Sequence, residues 1–195
     1  MKQHKRIGEP MSSHTENQDR RSDEQSSDEL DLVFNDENDI NDMYLTFGLG
    51  NEEYGISINY VTEIVGMQRV MEVPDVPVFI KGVINLRGKV IPVMDVRRRF
   101  NMTEEPYTER TVIIVLDSNG VLIGLIVDNV SEVMEIPKNQ IDQPPQFGAN
   151  RDNAGVILGL GKQDDKVAIL LNIEHLISQQ IVDLQSSLSA LKNSA

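Results

Sequence analysis

Residues 54–65 read YGISINYVTEIV, and residues 123–134 read IGLIVDNVSEVM. At an offset of 69 positions Gly55, Ile58, Val61, Glu63 and Ile64 fall on Gly124, Val127, Val130, Glu132 and Val133. Further along, Gly82-Val83-Ile84 falls on Gly155-Val156-Ile157 at an offset of 73. Lys89-Val90 falls on Lys166-Val167 at an offset of 77, where Asp95 also meets Asn172. The offset grows where turns are expected, and turns are where insertions are tolerated. Self-similarity at a nearly fixed spacing marks a repeated structural unit. The chain therefore predicts two similar β lobes in tandem.

Around these phrases the sequence is built of short β-branched and aliphatic runs punctuated by Gly, Pro, Asn and Asp, the pattern of a small barrel or sandwich. Strands are expected at 44–49, 54–58, 83–86, 90–94, 111–116, 121–127, 156–160 and 167–171. Arg87-Gly88 is expected at the tip of a hairpin, with Gly88 supplying a positive φ and Asn85 suited to turn geometry. Asp95 and Asn172 each end a strand and can cap a following helix, VRRRF in one case and IEHLI in the other. The longest helical pattern follows Asn172, with Leu176, Ile177, Ile181, Leu184, Leu188 and Leu191 at three- and four-residue spacing. Its first half is expected to seal the core. The fold class is mainly β.

The 195 residues are 39% hydrophobic, enough for a globular body. Residues 1–42 are rich in Ser, Asn, Gln, Asp and Glu, and a segment of that kind cannot offset its ordering entropy by burial. They are expected to form a disordered acidic tail, in which the apolar island Leu30, Leu32, Val33 and Phe34 reads as a chance cluster, with a docking motif as the alternative. Five Lys or Arg stand against twelve Asp or Glu there, so more than half of the net charge of -13 belongs to the tail. That charge disfavours nucleic acid. No segment has the length and apolarity of a membrane span, and the basic start MKQHKRIGEP lacks the apolar stretch of an export signal. The absence of cysteine removes disulfides and thiolate chemistry, which suits a cytoplasmic location.

A search for catalysis finds no residue set to carry it. His4 and His14 lie in the tail and His175 stands alone early in the last helix, so no histidine pair has metal-ligand spacing. The glycines from Gly155 to Gly161 are spaced by five residues, with Gln163 after Lys162, which is not a phosphate loop. Arg97-Arg98-Arg99 reads as the solvated face of a short capped helix. No catalytic residue, cofactor or metal ligand is assigned. The polar residues left over inside apolar β patterns are Glu63, Asn85, Arg87 and Glu132, and Arg87 is expected to reach Glu63 at a protein-binding surface.

From residue 43 to about 178 the sequence resembles the CheW family, with EEYGISINYVTEIV, VPDVPVFIKGVINLRGKVIPVMDVRRRF and GLIVDNVSEVMEIP in family order. The resemblance implies two interlocked SH3-like five-stranded β-barrel lobes over residues 43–180, with residues 181–195 as a helical extension. It implies a non-enzymatic adaptor that binds the cytoplasmic tip of chemoreceptors and the regulatory domain of a CheA-type histidine kinase, without entering the membrane or binding nucleic acid. The positions that match its binding residues are Val61, Glu63, Gly82, Asn85 and Arg87 in the first lobe, and Val112, Gly124, Val130 and Val133 in the second. For the valines, core packing is the competing role. The same fold could serve type IV pili motility or second-messenger control, and a regulatory module cut from a kinase is the alternative of another class.

Overall fold

The computed structural model describes residues 40–143, 155–177 and 181. The island at Leu30, Leu32, Val33 and Phe34 and the expected helical positions Leu184, Leu188 and Leu191 lie outside the described residues. Strands β1 (Met43–Leu49), β2 (Glu52–Ser57), β3 (Val61–Gly66), β4 (Ile80–Leu86), β5 (Lys89–Asp95), β6 (Val112–Ser118), β7 (Val121–Val127), β8 (Asn129–Glu135), β9 (Ile141–Asp142), β10 (Ile157–Gln163) and β11 (Lys166–Leu171) make two sheets. Helix α1 (Val96–Arg99) follows β5, and α2 (Ile173–Leu176) follows β11. Every expected strand is present. Strands β3, β8 and β9 were not expected, and Ile58 belongs to a 3-10 turn rather than to β2.

One sheet runs β8-β1-β2-β11-β10-β9 and the other β3-β6-β7-β5-β4. If β1, β2, β3, β4 and β5 are matched in order to β6, β7, β8, β10 and β11, the two orders become the same, apart from the added two-residue β9. The two repeats follow one another along the chain and their lobes interlock. Each repeat sends its opening hairpin into the sheet completed by the other repeat, through the parallel contacts of β7 with β5 and of β2 with β11. Each sheet has five strands in this common order, and β9 adds a sixth to one of them. Register also corrects one match within the repeat. Gly82 sits opposite Val93 beside a bulge, and Gly159 sits opposite Leu170 beside an equivalent bulge, so Gly82 corresponds to Gly159 and not to Gly155.

The exchange creates a core shared by both sheets. Leu45, Phe47 and Leu49 of β1, Ile114 and Leu116 of β6, and Ile123, Leu125 and Val127 of β7 pack in one cluster. Alternate residues of the same strands point the other way: Ile113 and Val115 join Ile84, Leu86 and Ile91 inside one barrel, and Tyr44 joins Met134, Ile136 and Leu170 inside the other. This period-two division follows from strand geometry. Burying each large side chain contributes about 1.5–3 kcal/mol. Ile173, Leu176, Ile177 and Ile181 are buried in the shared cluster, so the first part of the terminal segment does seal the core. The helix itself stops after Leu176, because Ile177 leaves helical ψ.

Both caps form. Asp95 Oδ1 accepts from the Arg98 N–H and Asn172 Oδ1 from the His175 N–H, each at 3.2 Å. The arginines after Asp95 are not a solvated face. Arg97 is 13% exposed and donates to both oxygens of Asp128, from Nε at 2.8 Å and from Nη2, while Gly50 N–H donates to the same carboxylate at 2.8 Å. Arg98 pairs with Glu104, and Arg99 lies over the Phe79 ring. Arg97 thereby ties the β1–β2 turn to the β7–β8 junction at Asp128, one of the points where the chain passes from one sheet to the other.

Partial burial works against the Asp128 charge, but the Arg97 and Gly50 hydrogen bonds and the guanidinium charge outweigh it and hold the carboxyl below the usual range. A depressed pKa contributes stability that is present above the unfolded value and lost as pH falls through the folded one. Asp128→Asn is expected to cost about 1–3 kcal/mol at pH 7 in urea denaturation. The gap to the parent should narrow below about pH 4. A gap independent of pH would show that the charge is not the source.

Candidate functional site

The register of the five-stranded sheet places Glu63, Val115, Gly124, Val93 and Gly82 in one row across all its strands. Three of the sequence-predicted site residues thus share a line perpendicular to the strands. Its two glycines are buried and shape the sheet. A Cβ on Gly124 would stand 2.7 Å from Ile113 Cγ2, and one on Gly82, at φ 145°, would stand 2.2 Å from the Met71 carbonyl oxygen. Smooth backbone at these points lets neighbouring layers approach and the sheet bend. The other sheet repeats the row through Thr46, Gly55, Leu170 and Gly159, with Thr46 Oγ1 bonded to both backbone groups of Glu132.

The bend brings opposite edges of the five-stranded sheet together. Glu63, on edge strand β3, accepts from Arg87 at the β4–β5 tip through two hydrogen bonds of 3.0 and 2.9 Å. The expected pair is a bidentate fork, the strongest geometry available to these groups. Its members differ in setting, the Arg87 side chain being 78% exposed and that of Glu63 22%. Asn85 is exposed and supports the turn, its Oδ1 accepting from Gly88 N–H at 2.9 Å. The other sheet carries a second such pair between Glu132 and Lys166, and the Glu132 carboxylate, through its hydrogen bond and charge, raises the Lys166 ammonium above its ordinary range.

Val61, Val112 and Val130 are partly buried against the shared cluster, so their visible role is packing. Val133 instead is 42% exposed. Its repeat partner Ile64, next to Glu63, is 43% exposed. Ile64 and Lys166 were missing from the sequence-predicted set, although the repeat pairs the first with Val133 and the second with Lys89. Among the described residues no group of three or more His, Cys, Asp or Glu could hold a metal ion. No helix among them is long and apolar enough to cross a membrane.

This division between shaping and surface residues can be measured. Gly124→Ala and Gly82→Ala should each cost about 1–3 kcal/mol or more by overpacking, in chemical denaturation. Arg87→Gln should cost no more than about 1 kcal/mol, because its charge is exposed. Equal losses at all three positions would refute the distinction.

Comparison with known proteins agrees with this architecture. The chain is 41% identical over 137 residues to the chemotaxis protein CheW of Klebsiella aerogenes, covering 70% of this chain and 82% of the relative. It is 35% identical to the chemotaxis protein CheW of Bacillus subtilis, covering 77% of this chain and 93% of that one. Among solved structures, the scaffolding protein TtCheW from Thermoanaerobacter tengcongensis matches with a TM-score of 0.64 and 35% identity, covering 70% of this chain and 92% of its own. The family model described as a CheW-like domain matches residues 43–180. The chain belongs to the CheW family.

Proposed function

We propose that this chain is a non-enzymatic cytoplasmic adaptor that joins the cytoplasmic tip of chemoreceptors to the regulatory domain of a CheA-type histidine kinase in bacterial chemotaxis. Residues 43–180 would do this work, flanked by the acidic segment 1–42 and by residues 181–195, and partners would carry the protein to membrane-associated arrays. The observation that carries the reading is the β3 edge and the adjoining β4–β5 tip. There an exposed arginine is fixed by the Glu63 carboxylate on one face of the edge strand, and Ile64 exposes an apolar side chain on the other. Apolar area with a fixed charge at its margin is the usual composition of a protein interface.

An adaptor needs surfaces held in a constant relation rather than reacting groups. The shared core supplies that relation, because neither sheet can shift without opening the cluster that contains Phe47, Ile114 and Leu125. Glu63, Asn85, Arg87 and Val133 offer exposed or partly exposed atoms to partners. Gly82 and Gly124 would affect binding through the bend of the sheet, and Val61, Val112 and Val130 through packing beneath it.

Charge reversal tests the site. Arg87→Glu and Glu63→Arg should each weaken binding of a receptor cytoplasmic fragment about tenfold or more, while changing folding stability by about 1 kcal/mol or less. Recovery in the double reversal would support pairing, and additive losses would mean that each residue meets a partner separately. Unchanged receptor and kinase binding in all three variants would sink the assignment.

A further inference from the structure

Hairpins with two-residue loops favour turns whose first central residue has positive φ, a conformation suited to Gly, Asn and Asp. Three of the hairpins described here follow that preference. Gly50 opens the β1–β2 turn at φ 64°, Asn119 the β6–β7 turn at 55°, and Asp164 the β10–β11 turn at 53°. The β4–β5 turn has the same form but opens with Arg87, at φ 49°. For an arginine this left-handed backbone brings Cβ towards the following carbonyl, with no short polar side chain to compensate locally.

The β6–β7 turn supplies an internal control. There Asp117 Oδ1 accepts from Gly120 N–H at 2.8 Å, and in the β4–β5 turn Asn85 Oδ1 accepts from Gly88 N–H at 2.9 Å. Gly120 and Gly88 share a φ of 83°. Two turns of one design therefore differ at the first central position, where one has the residue that suits the backbone and the other does not. An asparagine at position 87 would suit the turn, but it is too short to reach Glu63 and carries no charge. The observed arginine reaches Glu63 with two N–H groups and remains 78% exposed. An unfavourable backbone conformation kept at a surface site points to a role other than folding.

We infer that Arg87 is held in a disfavoured turn so that its guanidinium is fixed for partner binding, and that Asn85 is the positioning residue that clamps this turn. The inference rests on the proposed reading of the β4–β5 tip as a contact surface.

Two pairs of variants test it by thermal melting and by calorimetric titration with a receptor cytoplasmic fragment. Arg87→Asn and Arg87→Ala both delete the ion pair and differ in their tolerance of positive φ. The asparagine variant should melt about 2–4 °C above the alanine one. Both should lose about tenfold or more in affinity. Asn85→Ala keeps the arginine but removes the clamp, and its affinity should fall about three- to tenfold. Asn85→Asp should restore affinity to within about twofold, since a carboxylate oxygen accepts the same hydrogen bond, as Asp117 does. Equal melting of the two Arg87 variants would overturn the strained turn, whatever the binding result. Failure of Asn85→Asp to recover would overturn the role of Asn85. A melting difference with binding untouched would instead refute the contact surface itself, and with it the purpose assigned to the strain.

Discussion

A strand that is apolar on both faces has to be covered on both, and β1, β6 and β7 are strands of that kind. In β6 Ile114 and Leu116 face the shared cluster, while Ile113 and Val115 face the interior of a barrel. A barrel made by one repeat alone would leave the second face in water. Exchange of the opening hairpins meets the constraint for both repeats at once, because each hairpin becomes the wall between its new barrel and the common core. The crossovers this requires lie at Ile58–Tyr60 and at Asp128, and Arg97 ties the second of them to the β1–β2 turn.

Sheet curvature is the next consequence. A five-stranded sheet with side chains at every position could not bring β3 against the β4–β5 tip, and the row through Gly124 and Gly82 removes Cβ atoms where crowding is greatest. The same row reappears in the other sheet with Gly55 and Gly159. The residues proposed for binding thus fall into two physical classes. Some present atoms at the surface, and others set the curvature that holds the first group in place.

The halves have also diverged at their tips. The five-stranded barrel offers Arg87-Gly88 and the six-stranded barrel Asp164-Asp165, and Leu122 of the first occupies the position of Glu53 in the second. The clamp between edge strand and hairpin survives in both, but Lys166 stands where the first repeat has Lys89 rather than Arg87. Duplicated shape with different charge gives one small protein two dissimilar surfaces in a fixed geometry, which is a useful property in an adaptor.

The sequence by itself determined what depends on near neighbours. The apolar runs located most strands, because alternation and β-branching act within a few residues. Asp95, Asn172 and Arg87-Gly88 were legible as caps and a tip, because those devices bond to groups two or three positions away. The resemblance carried by residues 73–100 indicated the family. Strands β3 and β8 were missed as strands, since each follows its predecessor almost directly and is exposed along much of its length. Tertiary structure alone decided which repeat each hairpin joins, that Gly82 answers to Gly159, and that Arg97 is committed to Asp128. These are contacts between residues tens of positions apart. Their energies depend on how two sheets close over one core, and no local pattern records that.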